Sequence, residues 1–313
     1  MKLIDYKAGQ HNTQPDPFIL KGNDGRFYIY ATGATGVHAY VSDTLAGEYE
    51  YIGIVFSAPG KKEYWAPSVT LIGDKYYMYV SFVNEDSDDA HEQTMHVAAS
   101  DSPRGPFTDP RPIIAPFSID SHVVSTASGL FIFYSTNDYD AERAGTYIAV
   151  DKMSDPYTCV GNPKKILAAT LDEEIFMRNR FKEGQHWHTL EGAFYFEKDG
   201  YHYVIYSGNC YESEYYYLGY AVAKTTETDL TKIDFVKYPD PDTYMPLISA
   251  NDFEAGTGHN SVIEVDGEYY CIYHGRDIPP DPRLGAAESR TARICRLKVE
   301  GGVIEAIRYP DKI

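Results

Sequence analysis

A chain of 313 residues, 43% of them hydrophobic and with a formal charge of −18, has material for one large core or two ordinary ones. Its acidic residues are spread along the whole length, so nucleic acid and anionic membrane, which both demand a basic surface, are excluded as partners. No apolar run approaches the roughly 18 residues that cross a bilayer.

In chain order, the opening "MKLIDYKAGQHNTQPDPF" lacks the apolar centre of a signal peptide, which predicts a cytoplasmic protein unless an export signal was trimmed. A turn followed by an aromatic strand then appears five times: "NDGRFYIYAT" (23–32), "GDKYYMYVS" (73–81), "ASGLFIFYS" (127–135), "KDGYHYVIYS" (198–207) and "VDGEYYCIYH" (265–274). Alternating large residues after a glycine-containing turn mark the second strand of a hairpin. Each copy is followed by a further strand of small and β-branched residues, as in "GVHAYVSD", "TYIAVDKMSDPY" and "ARICRLKVEGGVIEA". Only "ATLDEEIFMRN" approaches helical periodicity, and it reads as one short helix. The acid-rich "NEDSDDAHE" (84–92) lacks EF-hand spacing and reads as a solvated loop. The cysteines Cys159, Cys210, Cys271 and Cys295 form no CxxC pair and read as small buried residues.

With Tyr30, Tyr79, Tyr134, Tyr206 and Tyr273 as markers, the copies are spaced by 49, 55, 72 and 67 residues. Several strands per unit at this period predict an all-β protein, a five-bladed β-propeller with four-stranded antiparallel blades. No Pro/Gly-rich linker divides the chain, so residues 1–313 read as a single domain. The 29 tyrosines suit half-buried strands and by themselves say little about carbohydrate.

Fourteen residues before four of the markers, and fifteen before Tyr206, stand Asp16, Trp65, Asp120, Glu191 and His259. In a propeller the first strands of the blades surround one axis, so these five positions are expected to face one pocket. Each has a plainer reading: Asp16 as a turn former before proline, Asp120 as a strand-end cap, Glu191 as one end of a salt bridge, His259 as a core histidine, Trp65 as a packing ring. A structural role would favour one apolar residue in all five places, whereas three acids, a histidine and a tryptophan point to a shared site. Paired carboxylates around a cavity do general acid and base work, and glycoside hydrolysis needs little else.

"PDPF", "YWAPS", "SIDSH", "LEGAF" and "GTGHNS", taken as an ordered set, resemble glycoside hydrolase family 43 over residues 11 to about 300. The resemblance implies an inverting five-bladed propeller that releases L-arabinofuranose or D-xylose from short hemicellulose-derived oligosaccharides. It implies Asp16 as general base, Glu191 as general acid and Asp120 as the residue that orients the acid and keeps its pKa raised. Trp65 and His259 would contact substrate, and His259 would bind water or a metal, commonly calcium, on the axis; no cofactor would be required. Arg290 in "ESRTARI" would reach the sugar and Asp120. "EGAF" and "IDSHVVSTASGLF" depart from the family's commoner patterns and leave the sugar preference open. His188 in "QHWHTL" is a further candidate for substrate contact, and "SGNCYESEYYYLGY" for sugar-stacking rings. Exo action is expected on the ground that a cytoplasmic enzyme meets short imported oligosaccharides. Competing readings are a fructan hydrolase, a glycoside phosphorylase and a non-catalytic sugar-binding propeller.

Overall fold

The computed structural model describes residues 1–285 and 288–308. The five aromatic runs form the second strands of five antiparallel meanders. The first sheet holds β1 (Phe18–Lys21), β2 (Phe27–Ala31), β3 (Val37–Ser42) and β4 (Glu50–Phe56). The second holds β5 (Lys61–Ile72), β6 (Lys75–Asn84), β7 (Thr94–Ser100) and β8 (Thr108–Ile114). The third meander comprises β9 (Ile119–Thr126), β10 (Gly129–Asp138), β11 (Gly145–Asp155), β12 (Thr158–Cys159) and β13 (Lys164–Leu167). The fourth comprises β14 (Ile175–Met177), β15 (Trp187–Lys198), β16 (Tyr201–Gly208), β17 (Tyr217–Lys224) and β18 (Val236–Lys237). The last sheet holds β19 (Glu254–Val265), β20 (Glu268–Asp277), β21 (Thr291–Glu300) and β22 (Val303–Ile307). The hairpins at "KDG" and "VDG" turn as the sequence requires, with Asp199, Gly200, Asp266 and Gly267 all at positive φ, the backbone that Asp-Gly pairs adopt in two-residue loops.

Three sheets are thus separate and four-stranded, but the third and fourth meanders merge into one ten-stranded sheet. The join is a short parallel pairing of Gly145 and Thr146 with His188 and Thr189. Gly145 permits it: a Cβ there would stand 2.0 Å from the His188 carbonyl oxygen. The short helix expected in 169–179 is instead one 3₁₀ turn, Asp172–Glu174, followed by β14. The buried Glu174 carboxylate accepts the N–H groups of Thr170 and Leu171 and pairs with Lys237, and this local capture competes with helical hydrogen bonds.

Hydrophobic clusters fill the spaces between successive meanders. Tyr28 and Tyr30 pack with Met78 and Phe82, Tyr79 with Ile132, Phe133 with Tyr195, and Ile205 with Tyr273. Met1, Leu3 and Ile29 meet Ile272 and Ile294 of the last sheet. The first strands follow the same cycle: β1 touches β5, β5 touches β9, β9 touches β15, β15 touches β19, and β19 returns to β1. The N-terminal residues lie along β21, with Leu3 N–H on the Ala292 carbonyl and Ile294 N–H on the Met1 carbonyl. Burial explains most marker tyrosines: Tyr30 and Tyr79 are fully buried, and their hydroxyls donate to the carbonyls of Pro103 and Pro156. Cys271 and Cys295 are buried as read, whereas Cys159 and Cys210 are only half-buried.

Candidate active site

An irregularity recurs at the five first strands, just before β1, near the start of β9 and midway along β5, β15 and β19. Asp16, Ala66, Asp120, Gly192 and His259 have φ of 52°, 44°, 60°, 64° and 45°. Left-handed backbone is uncommon for residues with a Cβ and costs about 1–2 kcal/mol each, so its recurrence in all five meanders marks a demanded geometry. In four of the five first strands it coincides with a register shift, the kind of bulge that re-aims a side chain. All five residues line a single narrow cavity of about 10 Å³, room for roughly one water, together with Phe18, Ser121, His122, Phe194 and Asn260.

The count from the tyrosines is therefore off by one in two meanders. Ala66 and Gly192, not Trp65 and Glu191, are the structural counterparts of Asp16, Asp120 and His259. The residue two places after each left-handed position pairs with Tyr30, Tyr79, Phe133, Ile205 and Ile272, so the marker is a tyrosine in only two meanders. Trp65 and Glu191 occupy the preceding position, opposite Ser81 and Ser207, and their side chains lie off the axial cavity. Glycine suits position 192, where a Cβ would lie 3.1 Å from His259 Nδ1, closer than most such contacts, at an already left-handed φ.

Asp16 sits in a cationic, donor-rich setting. Its Oδ2 accepts from the Thr32 hydroxyl at 2.6 Å and its Oδ1 from Arg290 Nη1 at 3.2 Å. His274 Nδ1 accepts the Asp16 N–H at 3.1 Å, and His259 Nδ1 lies 3.6 Å from Oδ1. Burial alone would raise the pKa of Asp16, but Arg290, then the two histidines, outweigh it and hold the carboxyl well below the usual carboxylate range. Both histidines are pushed toward neutrality by burial, His274 to about 4.

Asp120 and Glu191 sit in the opposite setting. Asp120 Oδ2 accepts the N–H of Gly192 at 3.0 Å, so this acid grips the backbone immediately after Glu191. Glu191 Oε1 accepts from the Tyr216 hydroxyl at 2.7 Å. Burial raises the pKa of Glu191 to about 7, assisted by the charge of Asp16 and opposed by Tyr216 and Arg290. Asp120 is raised well above its ordinary value by burial, then by Glu191 and Asp16. Near neutral pH this pair retains a proton while Asp16 is ionised.

Asp16, Asp120, Glu191, His259 and Arg290 thus come together. Arg290, however, bonds Asp16 and grips Glu288 through Nε and Nη2 rather than reaching Asp120, whose Oδ2 accepts a backbone N–H. Trp65 is half-buried, its indole N–H on Glu63. His188 stands apart in the join between the third and fourth meanders, 4% exposed, accepting from Arg143 and donating to the Ala144 carbonyl. Among the described residues no group of three or more His, Cys, Asp or Glu could hold a metal, and calcium takes six to eight oxygens.

Thr32, His274 and Glu288 escaped the sequence reading, and Tyr216, within the stretch read as sugar-stacking rings, is buried with its hydroxyl on Glu191. A signal for the first two was present: the five aromatic runs end in Thr32, Ser81, Ser135, Ser207 and His274. Three of these accept the N–H of the left-handed residue of the next meander, Thr32 from Ala66, Ser207 from His259 and His274 from Asp16.

Carboxyls pushed in opposite directions within one buried cluster are the arrangement that acid–base hydrolysis calls for. The profile of Glycosyl hydrolases family 43 matches residues 10–304, and the chain belongs to that family. It is similar to a thermostable family-43 glycoside hydrolase of known structure, with 29% identity, a TM-score of 0.76 and coverage of 97% of this chain and 96% of that one. A probable arabinan endo-1,5-α-L-arabinosidase A of Aspergillus flavus is 23% identical, over 86% of this chain and 79% of that protein. An extracellular exo-α-(1→5)-L-arabinofuranosidase of Streptomyces avermitilis is 25% identical over 85% of this chain, which spans 56% of that protein's length. This extracellular relative overturns the cytoplasmic expectation. An export signal is cleaved from the domain it delivers, so the mature fold keeps no trace of it.

Proposed function

We propose that this chain is an inverting, exo-acting glycoside hydrolase that releases L-arabinofuranose from α-linked arabino-oligosaccharides, on a single five-bladed propeller whose third and fourth blades share the join at Gly145. The observation that carries the reading is the contrasting setting of two carboxyls in one buried cluster, Asp16 on the Arg290 guanidinium and Glu191 on a phenol with no cation among the described residues bonded to it. Asp16, ionised, takes a proton from water as the water oxygen bonds to the anomeric carbon. Glu191, protonated, gives its proton to the glycosidic oxygen as that bond breaks. Asp120 fixes the backbone of the acid through Gly192. Asp16 and Glu191 would stand roughly 6.5–9.5 Å apart, to admit the water. His259 and Arg290 close on Asp16, and Trp65 would contact the sugar. The two relatives' names favour arabinose over xylose and divide between endo and exo cutting.

The test is to follow hydrolysis of linear α-1,5-arabino-oligosaccharides by NMR and chromatography. Free arabinose of inverted configuration, formed without phosphate dependence, is expected. Retention would point to a fructan-type nucleophile, phosphate dependence to a phosphorylase, and early release of longer oligosaccharides to endo action.

A further inference from the structure

Tyr216 is 1% exposed and occupies the space between the two halves of the site. Its hydroxyl donates to Glu191 Oε1 at 2.7 Å. Its ring lies parallel to that of His274, with centroids 5.6 Å apart and planes 12° apart, and His274 Nδ1 is the acceptor of the Asp16 N–H. The ring has one slot to occupy: a Cβ on Gly258 would stand 1.9 Å from Tyr216 Cε1 and 2.2 Å from Cδ1. Its neighbour Tyr217 turns away toward Glu174.

We propose that Tyr216 is the positioning residue of this site, its ring spacing Glu191 from the Asp16 group and its hydroxyl reserving Oε1 so that Oε2 carries the proton. This rests on the roles proposed above for Glu191 and Asp16. An oxygen that accepts a short phenolic hydrogen bond is disfavoured as the protonated one, so the transferable hydrogen sits on Oε2, the oxygen left to face the glycosidic bond. As that hydrogen passes to the leaving oxygen, negative charge grows on the Glu191 carboxylate. The Tyr216 bond then strengthens, an interaction larger in the transition state than before it. The groups facing Glu191 are Asp16, Asp120, Arg290, Tyr216 and the Cys210 thiol; of these Tyr216 is the direct hydrogen-bond donor.

The experiment is the pH profile of kcat/KM for Tyr216→Phe on an α-1,5-arabino-oligosaccharide. Loss of a donor that favours the carboxylate raises the pKa of Glu191, so the alkaline limb moves up by about one pH unit. The rate at the optimum falls by roughly 10–100-fold, mainly in kcat. A uniform loss at every pH with the limb unmoved overturns the proposal, because a packing role predicts that pattern. If Tyr216→Phe fails to fold, a ring-fluorinated tyrosine placed at 216 keeps the shape and strengthens the donor. The limb then moves down, and an unmoved limb again overturns the idea. Glu191→Gln, assayed first on the same substrate, separates the two levels: full activity there removes the acid role itself, independently of Tyr216.

Discussion

On one side of the mouth Asp16 meets Arg290, His274 and Thr32; on the other, Asp120 and Glu191 meet one backbone N–H and one phenol, and His259 stands between, 3.6 Å from Asp16 and 3.8 Å from Asp120. Asp16 and Asp120 begin equivalent strands with nearly the same φ, and both are shielded from solvent. Their pKa values nevertheless move in opposite directions. Burial is the largest influence on each and raises both, so the difference comes from the neighbours. A guanidinium reverses the effect of burial on Asp16, and a second carboxyl reinforces it on Asp120. Equivalent backbone geometry delivers a carboxyl to the mouth; non-equivalent side chains decide its charge.

The largest expected effect comes from removing either reacting carboxyl. Asp16→Asn and Glu191→Gln should each lower kcat on arabino-oligosaccharides by about 10³-fold. The two sides then part: a dinitrophenyl glycoside needs no proton on its leaving group, so it should rescue Glu191→Gln and leave Asp16→Asn inactive. Equal rescue of both would show that the contrast is not one of base and acid.

Next in size is Arg290→Met, which makes the Asp16 side resemble the other. Without the cation, burial raises the Asp16 pKa, and an acid limb should appear in a pH–rate profile where the wild type is flat. The loss should be roughly 10–100-fold at pH 5 and smaller at pH 7. An unchanged acid side would show that Arg290 does not hold Asp16 ionised.

The smallest effect is on stability, with opposite signs on the two sides. The folded pKa of Glu191 is raised from its ordinary 4.5 to about 7, so its stabilising contribution is full below 4.5 and is lost as pH rises through about 7. Asp16 is depressed from 3.8, so its contribution is present above that value and is lost as acid protonates it. Glu191→Gln should gain about 3 kcal/mol relative to wild type between pH 4 and pH 8. Asp16→Asn should be more destabilising at pH 7 than at pH 3. Thermal denaturation of both variants across this range checks the signs; parallel curves would mean that neither carboxyl is shifted.

The repeated turn-and-strand pattern was legible because a strand's period and its Asp-Gly turn are local properties. The second strands therefore fell where the aromatic runs placed them. The identity of the acids was legible because carboxylates at strand starts are unfavourable there without a task. The exact equivalence of Trp65 and Glu191 was not, since a bulge adds a residue without marking the sequence. Nor was the short helix legible as a 3₁₀ turn: Glu174 folds back onto Thr170 and Leu171 because Lys237, 63 residues later, waits for its charge. Arg290 illustrates the same limit, since its basic character is local while its choice of Asp16 over Asp120 depends on which strand starts next to it.

By itself, then, the order of amino acids determined the strands, their turns and which carboxyls begin the innermost ones, for these follow from backbone preference and alternation over ten residues or fewer. Only the tertiary structure decided which carboxyl keeps its proton, since that depends on Arg290 and His274 of the last meander reaching Asp16 in the first, and on Tyr216 reaching Glu191 across the fourth. Electrostatic energy follows distance in space, and nothing in local sequence encodes that distance.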